Sequence, residues 1–272
     1  MLKILDFLNK KMIKPKLYGS LSESWFFYLS FLIMIVLIIV AVIKMKNISE
    51  KKLNHLLRSF ALILIGFEIY KQVIFTHQNN WEYYSWFAFP YQFCSVPMYI
   101  ALIASFVKQK AVKEALIVFL STYALFSGLA VMIFPETVFV ETIGINIQTM
   151  VHHGLIAVLG FGLIFNTNYY KLSSLIKGSF VFAVSIFIAV LLNFMHNAFI
   201  QEGTFNMFFI NPLYANKLPI LKDIQPLVSG RIFVLIYFLG FSLIAFLILF
   251  IKRVIIKAYH HQFIIINKNL EY

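Results

Sequence analysis

Charge is scarce in this sequence: 12% of its 272 residues are Asp, Glu, Lys or Arg against 61% hydrophobic residues, and the mean hydropathy is +0.85. That leaves too little polar surface to coat a water-soluble globule, so a soluble fold is excluded. Acids are the scarcer sign, 11 against 23 bases, for a net charge of +12. The bases lie at the ends of apolar runs, where a bilayer accounts for them, and nucleic acid is not expected as a partner. A single cysteine, Cys94, excludes an intrachain disulfide. Neither an HExxH motif nor a paired-cysteine pattern occurs, and the neighbours His152–His153 and His260–His261 diverge on a helix. No metal and no other cofactor is expected. No window repeats and no Gly/Ser-rich linker divides the chain, which reads as one membrane domain.

What is present in abundance is long apolar sequence. A helix crosses the hydrocarbon layer with ~20 largely apolar residues. Seven stretches have that length, near 25–44, 56–76, 89–107, 113–134, 147–166, 174–199 and 230–251. The expected fold is an all-α polytopic bundle of about seven transmembrane helices, with a basic amphipathic segment over 1–24, the bundle over 25–252 and a basic cytoplasmic tail over 253–272. The first apolar run lacks a small-residue cleavage site and reads as a retained span.

Lysine and arginine near span ends prefer the cytoplasmic side. Lys44, Lys46, Lys51, Lys52 and Arg58, then Lys108, Lys110 and Lys113, then Lys252, Arg253 and Lys257 alternate with connections that hold only acids such as Glu82, Glu136 and Glu141. This orients the N-terminus out and the C-terminus in, in the cell membrane. Lys3, Lys10, Lys11, Lys14 and Lys16 disagree with that rule. With Leu2, Leu5, Leu8 and Met12 at helical spacing, residues 1–13 can instead lie on anionic lipid as an interfacial helix.

Strongly polar residues inside spans cost ~2.5–3.5 kcal/mol each on insertion scales and need a reason to be there. Glu68, Cys94, His153, Asn193 and His196 are such residues, and on this topology all fall in the outer half of the bilayer. Asn146, Thr149, His153, Ala157 and Gly160 form one polar-to-small stripe, and Ser185, Ala189, Asn193 and His196 another, both facing other helices. His152 lies ~100° from His153 around the helix, among larger apolar neighbours, which favours His153 as the interior residue. Glu68 is spaced for an ion pair with Lys71. Each stripe taken alone is explained by hydrogen bonds between helices, worth about 0.6 kcal/mol on average. Cys94 stands between Pro90 and Pro97, so its first turn is irregular.

Pro90-Tyr91-Gln92-Phe93-Cys94-Ser95 resembles the Pro-Leu-His-Leu-Cys segment of YwaF-like bacterial integral membrane proteins. Ile147 to Gly154, ending His152-His153-Gly154, resembles their span ending in a His-Gly pair, and Gly203 to Phe209 resembles their Gly-Ser-Asn-Tyr-Met stretch. Gln92 stands where that family has a histidine. Those proteins are similar to eukaryotic transmembrane acyltransferases that make ether phospholipids. The resemblance implies Cys94 as acyl-accepting nucleophile, His153 as its base, and membrane phospholipids as partners. Asn193, His196 and Glu68 are candidates for support, and Arg231 for contact with lipid phosphate. The competing expectation is a non-catalytic transport or sensing protein whose polar cluster binds a solute or packs helices.

Overall fold

The computed structural model describes residues 2–135, 138–169 and 171–269, with side chains up to Lys257; Glu136 and the His260–His261 side chains lie outside that set. Among the described residues it is all-α. Six helices are long and apolar enough to cross a membrane: α2 (Leu21–Lys44), α3 (Glu50–Gln78), α5 (Lys110–Ile133), α6 (Ile143–Asn166), α7 (Leu172–Ile200) and α9 (Gly230–Asn269), the last apolar through Lys257. Three shorter helices complete the set: α1 (Leu2–Leu8), α4 (Val96–Ala104) and α8 (Leu221–Ile224).

The stretch over 89–107 is not one continuous helix. It is a 3₁₀ turn at Trp86–Ala88, an irregular leg, and α4, which at nine residues reaches only about 14 Å. The two prolines are the cause. Pro90 bars the preceding residue from helical geometry, and Pro97 is confined to the first turn of α4, where its missing amide hydrogen is harmless.

Burial grades the helices. In α5 and α6 72% of the most apolar window is covered by protein, against 17% in α2 and 22% in α9, so α5 and α6 form the centre and the other two face lipid. Small residues set the central contact: a Cβ on Gly128 of α5 would sit 2.8 Å from the His153 carbonyl of α6, and one on Gly160 would sit 2.7 Å from Leu125 Cβ. Tyr123, on a π-helical turn at Leu120–Ala124, ties three helices by hydrogen bonds to Ser179 and Ser242.

Polar contacts sort the helix ends into two faces. Lys113 at the start of α5 meets Glu50 at the start of α3 at 2.8 Å, and Glu114 holds Lys177 at the start of α7 at 2.6 Å. Asn166 at the end of α6 donates to the Val42 carbonyl near the end of α2, and Lys252 of α9 donates to the Thr167 carbonyl. These ends share one face, and the basic loops read from the sequence all lie there. On the opposite face Tyr18 reaches the Ile133 carbonyl, and Gln78 at the end of α3 reaches Thr142 ahead of α6.

The stripe of Leu5, Leu8 and Met12 faces protein rather than lipid. Leu5 packs on Ile74 and Ile145, the Tyr70 hydroxyl donates to the Leu8 carbonyl, and backbone bonds join Met12 to Glu141 and Ile143 to Lys10. Burial of that stripe against α3 and α6 competes with the lipid surface and prevails for these residues.

Candidate functional site

The Cys94 segment is held from three sides. Gln92 donates from Nε2 to the Asn206 carbonyl and accepts from the Phe208 amide, each at 3.0 Å, so one side-chain amide clamps the loop after α7. The Tyr99 hydroxyl donates to the Pro90 carbonyl at 2.9 Å. On the third side the ring of His152 lies with Nε2 3.0 Å from the Cys94 carbonyl. A carbonyl only accepts, so His152 carries its proton on Nε2. The same reasoning fixes the next ring: His153 Nδ1 is 2.7 Å from the Thr149 carbonyl, which puts the proton on Nδ1 and leaves Nε2 with a lone pair.

Both histidines are therefore interior, at 2% and 7% exposure, and the expectation that separated them by angle alone is corrected for His152. The helical wheel gave its direction correctly but not its neighbour, which is the backbone of the irregular leg rather than an apolar side chain. The stripe from Asn146 to Gly160 faces protein, as read from the sequence, with Ala157 and Gly160 meeting α5 and Asn146 held by Val140 and Met12.

Glu68, 4% exposed, accepts from Lys71 at 2.6 Å and from Gln72 at 2.8 Å, both on Oε1. Gln72 in turn donates to the Ala88 carbonyl and accepts from the Tyr84 hydroxyl. Burial above all, then the Glu68 carboxylate, pushes the Tyr84 phenol up to about 12, so it keeps its proton and remains a donor. Lys71 and Glu68 stand close enough for their charges to act on both Cys94 and His153.

Among the described residues Glu68 Oε2, His152 Nδ1, His153 Nε2 and the Tyr237 hydroxyl are buried without a partner, as are Trp86 Nε1 and both ring nitrogens of His196. Buried polar atoms without a partner are uncommon, so each of these calls for a role besides packing. Tyr237 was not singled out from the sequence, although a signal was available: it lies too deep in an apolar run for its hydroxyl to snorkel to the interface. It is fully buried and within electrostatic reach of Cys94. No hydrogen bond joins the Cys94 thiol to an imidazole among the described residues.

Asn193 and His196 meet the loop after α7, on the stretch that Gln92 also clamps. Asn193 donates to the Met207 carbonyl at 3.1 Å and accepts from the Met207 amide at 2.8 Å, so its amide is fully committed to the loop. His196 stacks on Phe205 with ring centroids 4.3 Å apart and meets the edge of Trp86. Arg231 is exposed in the first turn of α9. Beside it a cavity of about 330 Å³ opens between the loop, α8 and α9, with Lys222 and Phe233 in its wall. Among the described residues no cluster of His, Cys, Asp or Glu is arranged to hold a metal ion.

A family model described as the TMEM164 family matches residues 18–253. No curated protein and no solved structure matches the chain.

Proposed function

Taking as premise that the chain belongs to the TMEM164 family and is a multi-pass membrane protein, we propose that it is a phospholipid acyltransferase working through an acyl-Cys94 intermediate. His153 Nε2 takes the proton of the Cys94 thiol, and the sulfur attacks the ester carbonyl of a phospholipid. The lysophospholipid oxygen leaves with that proton, and a second lipid hydroxyl then accepts the acyl group by the reverse steps. The observation that carries this reading is the tautomer of His153: its Nδ1 is occupied by the Thr149 carbonyl, which leaves a buried Nε2 lone pair without a partner among the described residues, one residue along from the His152 ring that meets the Cys94 carbonyl. His152 holds the backbone of the nucleophile in position, and Glu68 with Lys71 sets the local field.

The same reading takes the leg over 89–107 as a crossing. Its start is bonded to the outer part of α3 through Gln72 and Ala88, and its end leads into α5 at the face where Glu50 meets Lys113. Irregular backbone is tolerated at membrane depth where protein surrounds it. That makes seven crossings, with the N-terminus out and the C-terminus in the cytoplasm of a cell bounded by this membrane. Cys94 then belongs to the outer half, where a phospholipid ester is at hand and charged acyl-CoA is not, so transfer proceeds from lipid to lipid without coenzyme A. Arg231 and the cavity beside it suit the lipid phosphate.

The purified protein, incubated with phospholipid labelled in its acyl chain, is expected to acquire label on Cys94 that hydroxylamine releases. Cys94→Ala is expected to abolish it. Strict dependence on added acyl-CoA would refute the donor assignment. A wild-type protein that never takes label decides for the alternative, a non-catalytic transport or sensing protein whose polar cluster binds a solute or packs helices.

A further inference from the structure

Tyr237 offers a hydroxyl for which the fold has no use. Its ring lies 4.5 Å from Phe241, 6.2 Å from Phe182 and 6.4 Å from Phe208. Phe93, the residue before Cys94, shares those neighbours, at 5.1 Å from Phe241, 5.2 Å from Phe182 and 5.6 Å from Phe208. Tyr237 and the nucleophile segment therefore line one aromatic cage. The tyrosine is 0% exposed and its hydroxyl finds no acceptor or donor among the described residues. A phenylalanine would fill the same space without burying an unpaired hydroxyl. Packing explains the ring and leaves the oxygen unexplained.

We infer that Tyr237 is the oxyanion donor of the site, its hydroxyl donating a hydrogen bond to the oxygen that becomes negative when Cys94 attacks an ester carbonyl. The inference rests on the acyltransferase reading above. As the Cys94 sulfur bonds to the carbonyl carbon, the π pair moves onto oxygen, and the Tyr237 hydroxyl stabilises it without giving up its proton. When the tetrahedral species collapses, the pair returns, the ester C–O bond breaks, and the lysophospholipid oxygen takes the proton that His153 had removed from sulfur. The second half repeats this around the thioester carbonyl with an acceptor hydroxyl as nucleophile. The donor is fixed in advance by the α9 backbone and the surrounding rings, and preorganisation is what makes such a donor effective. Asn193, another side chain chemically suited to this task, has both ends of its amide on Met207, and the His196 ring is stacked on Phe205.

The test measures acylation of Cys94 by labelled phospholipid in wild type and Tyr237→Phe, alongside alkylation of Cys94 by a lipophilic iodoacetamide. Alkylation is a displacement with no tetrahedral oxyanion. Acylation by Tyr237→Phe is expected to fall by about 10²-fold, the scale of losing one oxyanion donor. Alkylation and the thermal midpoint are expected to stay within twofold and a few degrees of wild type. Equal loss of both reactions would overturn the inference, because it would reflect a disturbed Cys–His arrangement, and so would an unchanged acylation rate. Should Tyr237→Phe aggregate, 3-fluorotyrosine placed at 237 keeps the ring and makes the phenol more acidic; an acylation rate that does not move refutes the role. Absence of any label in wild type would remove the acyltransferase reading itself, whereas a labelled wild type with an equally labelled Tyr237→Phe would remove only this assignment.

Discussion

His152 and His153 are sequence neighbours with opposite duties, and substitution is expected to separate them. His152 Nε2 satisfies the Cys94 carbonyl, so His152→Phe leaves a buried acceptor unpaired and is expected to cost about 1–3 kcal/mol, read as a lower thermal midpoint in detergent. His153→Phe removes a base whose Nε2 bonds to nothing. It is expected to abolish the acyl-Cys94 adduct while moving the midpoint far less. A His153 variant that still forms the adduct at the wild-type rate would mean that another group takes the thiol proton. The irregular turn at Cys94 and the polarity of the stripe through His153 were legible in the sequence, because both follow from spacing along one chain segment. The work of Asn193 was not, since its partner Met207 lies in a loop whose path no periodicity reports. Tyr237 escaped for a related reason, as an aromatic ring in an apolar run looks like core until its hydroxyl is seen to lack a partner.

Between elements, the approach of α5 to α6 controls where His153 stands. A methyl on Gly128 would press on backbone atoms, the His153 carbonyl at 2.8 Å and the Ala157 nitrogen at 2.9 Å, and backbone cannot yield as a flexible side chain does. Gly128→Ala is expected to destabilise by about 1–3 kcal/mol and to lower acylation with it. Gly66→Ala, where nothing lies within 4 Å, is the matched control and is expected to be neutral or slightly stabilising by thermal melt. Similar behaviour of the two variants would show that the helices have room to separate. Helix existence was well read from the sequence, because length and hydropathy dictate it. The break in 89–107 was only partly read: Pro90 and Pro97 were taken to disturb the first turn, whereas they delay the start of the helix to Val96. An apolar run measures affinity for lipid, and α4 obtains the same environment from the protein around it.

For the whole molecule, Cys94→Ala yields a chain without cysteine, which makes the arrangement of faces directly measurable. Single cysteines introduced at 47 and 168 are expected to react with a membrane-impermeant maleimide only after permeabilisation of cells. Those at 80 and 217 are expected to react in intact cells. The reverse pattern would invert the orientation and move the site to the cytoplasmic half, and with it the argument against acyl-CoA.

The loop after α7 and the helix starts on the opposite face are fastened by different chemistry. On the face of Glu50 and Lys177 the helix ends are joined by ion pairs, Lys113 to Glu50 and Lys177 to Glu114. On the other, the loop after α7 is sewn down by uncharged amides: Gln92 to Asn206 and Phe208, Asn193 to Met207, and Asn197 to Asn211 in both directions. At 1 M salt the screening length shrinks to about 3 Å, which loosens the first kind of fastening and scarcely touches the second. Carboxamides also keep one protonation state across the pH range in which carboxylates and imidazoles change theirs. Concentrated brine is therefore expected to speed amide hydrogen exchange around residues 110–114 and 172–177 while leaving residues 205–211 protected. A molecule stitched this way holds the loop after α7 through shifting acidity and ionic strength, and registers ionic strength where the starts of α3, α5 and α7 meet on the opposite face.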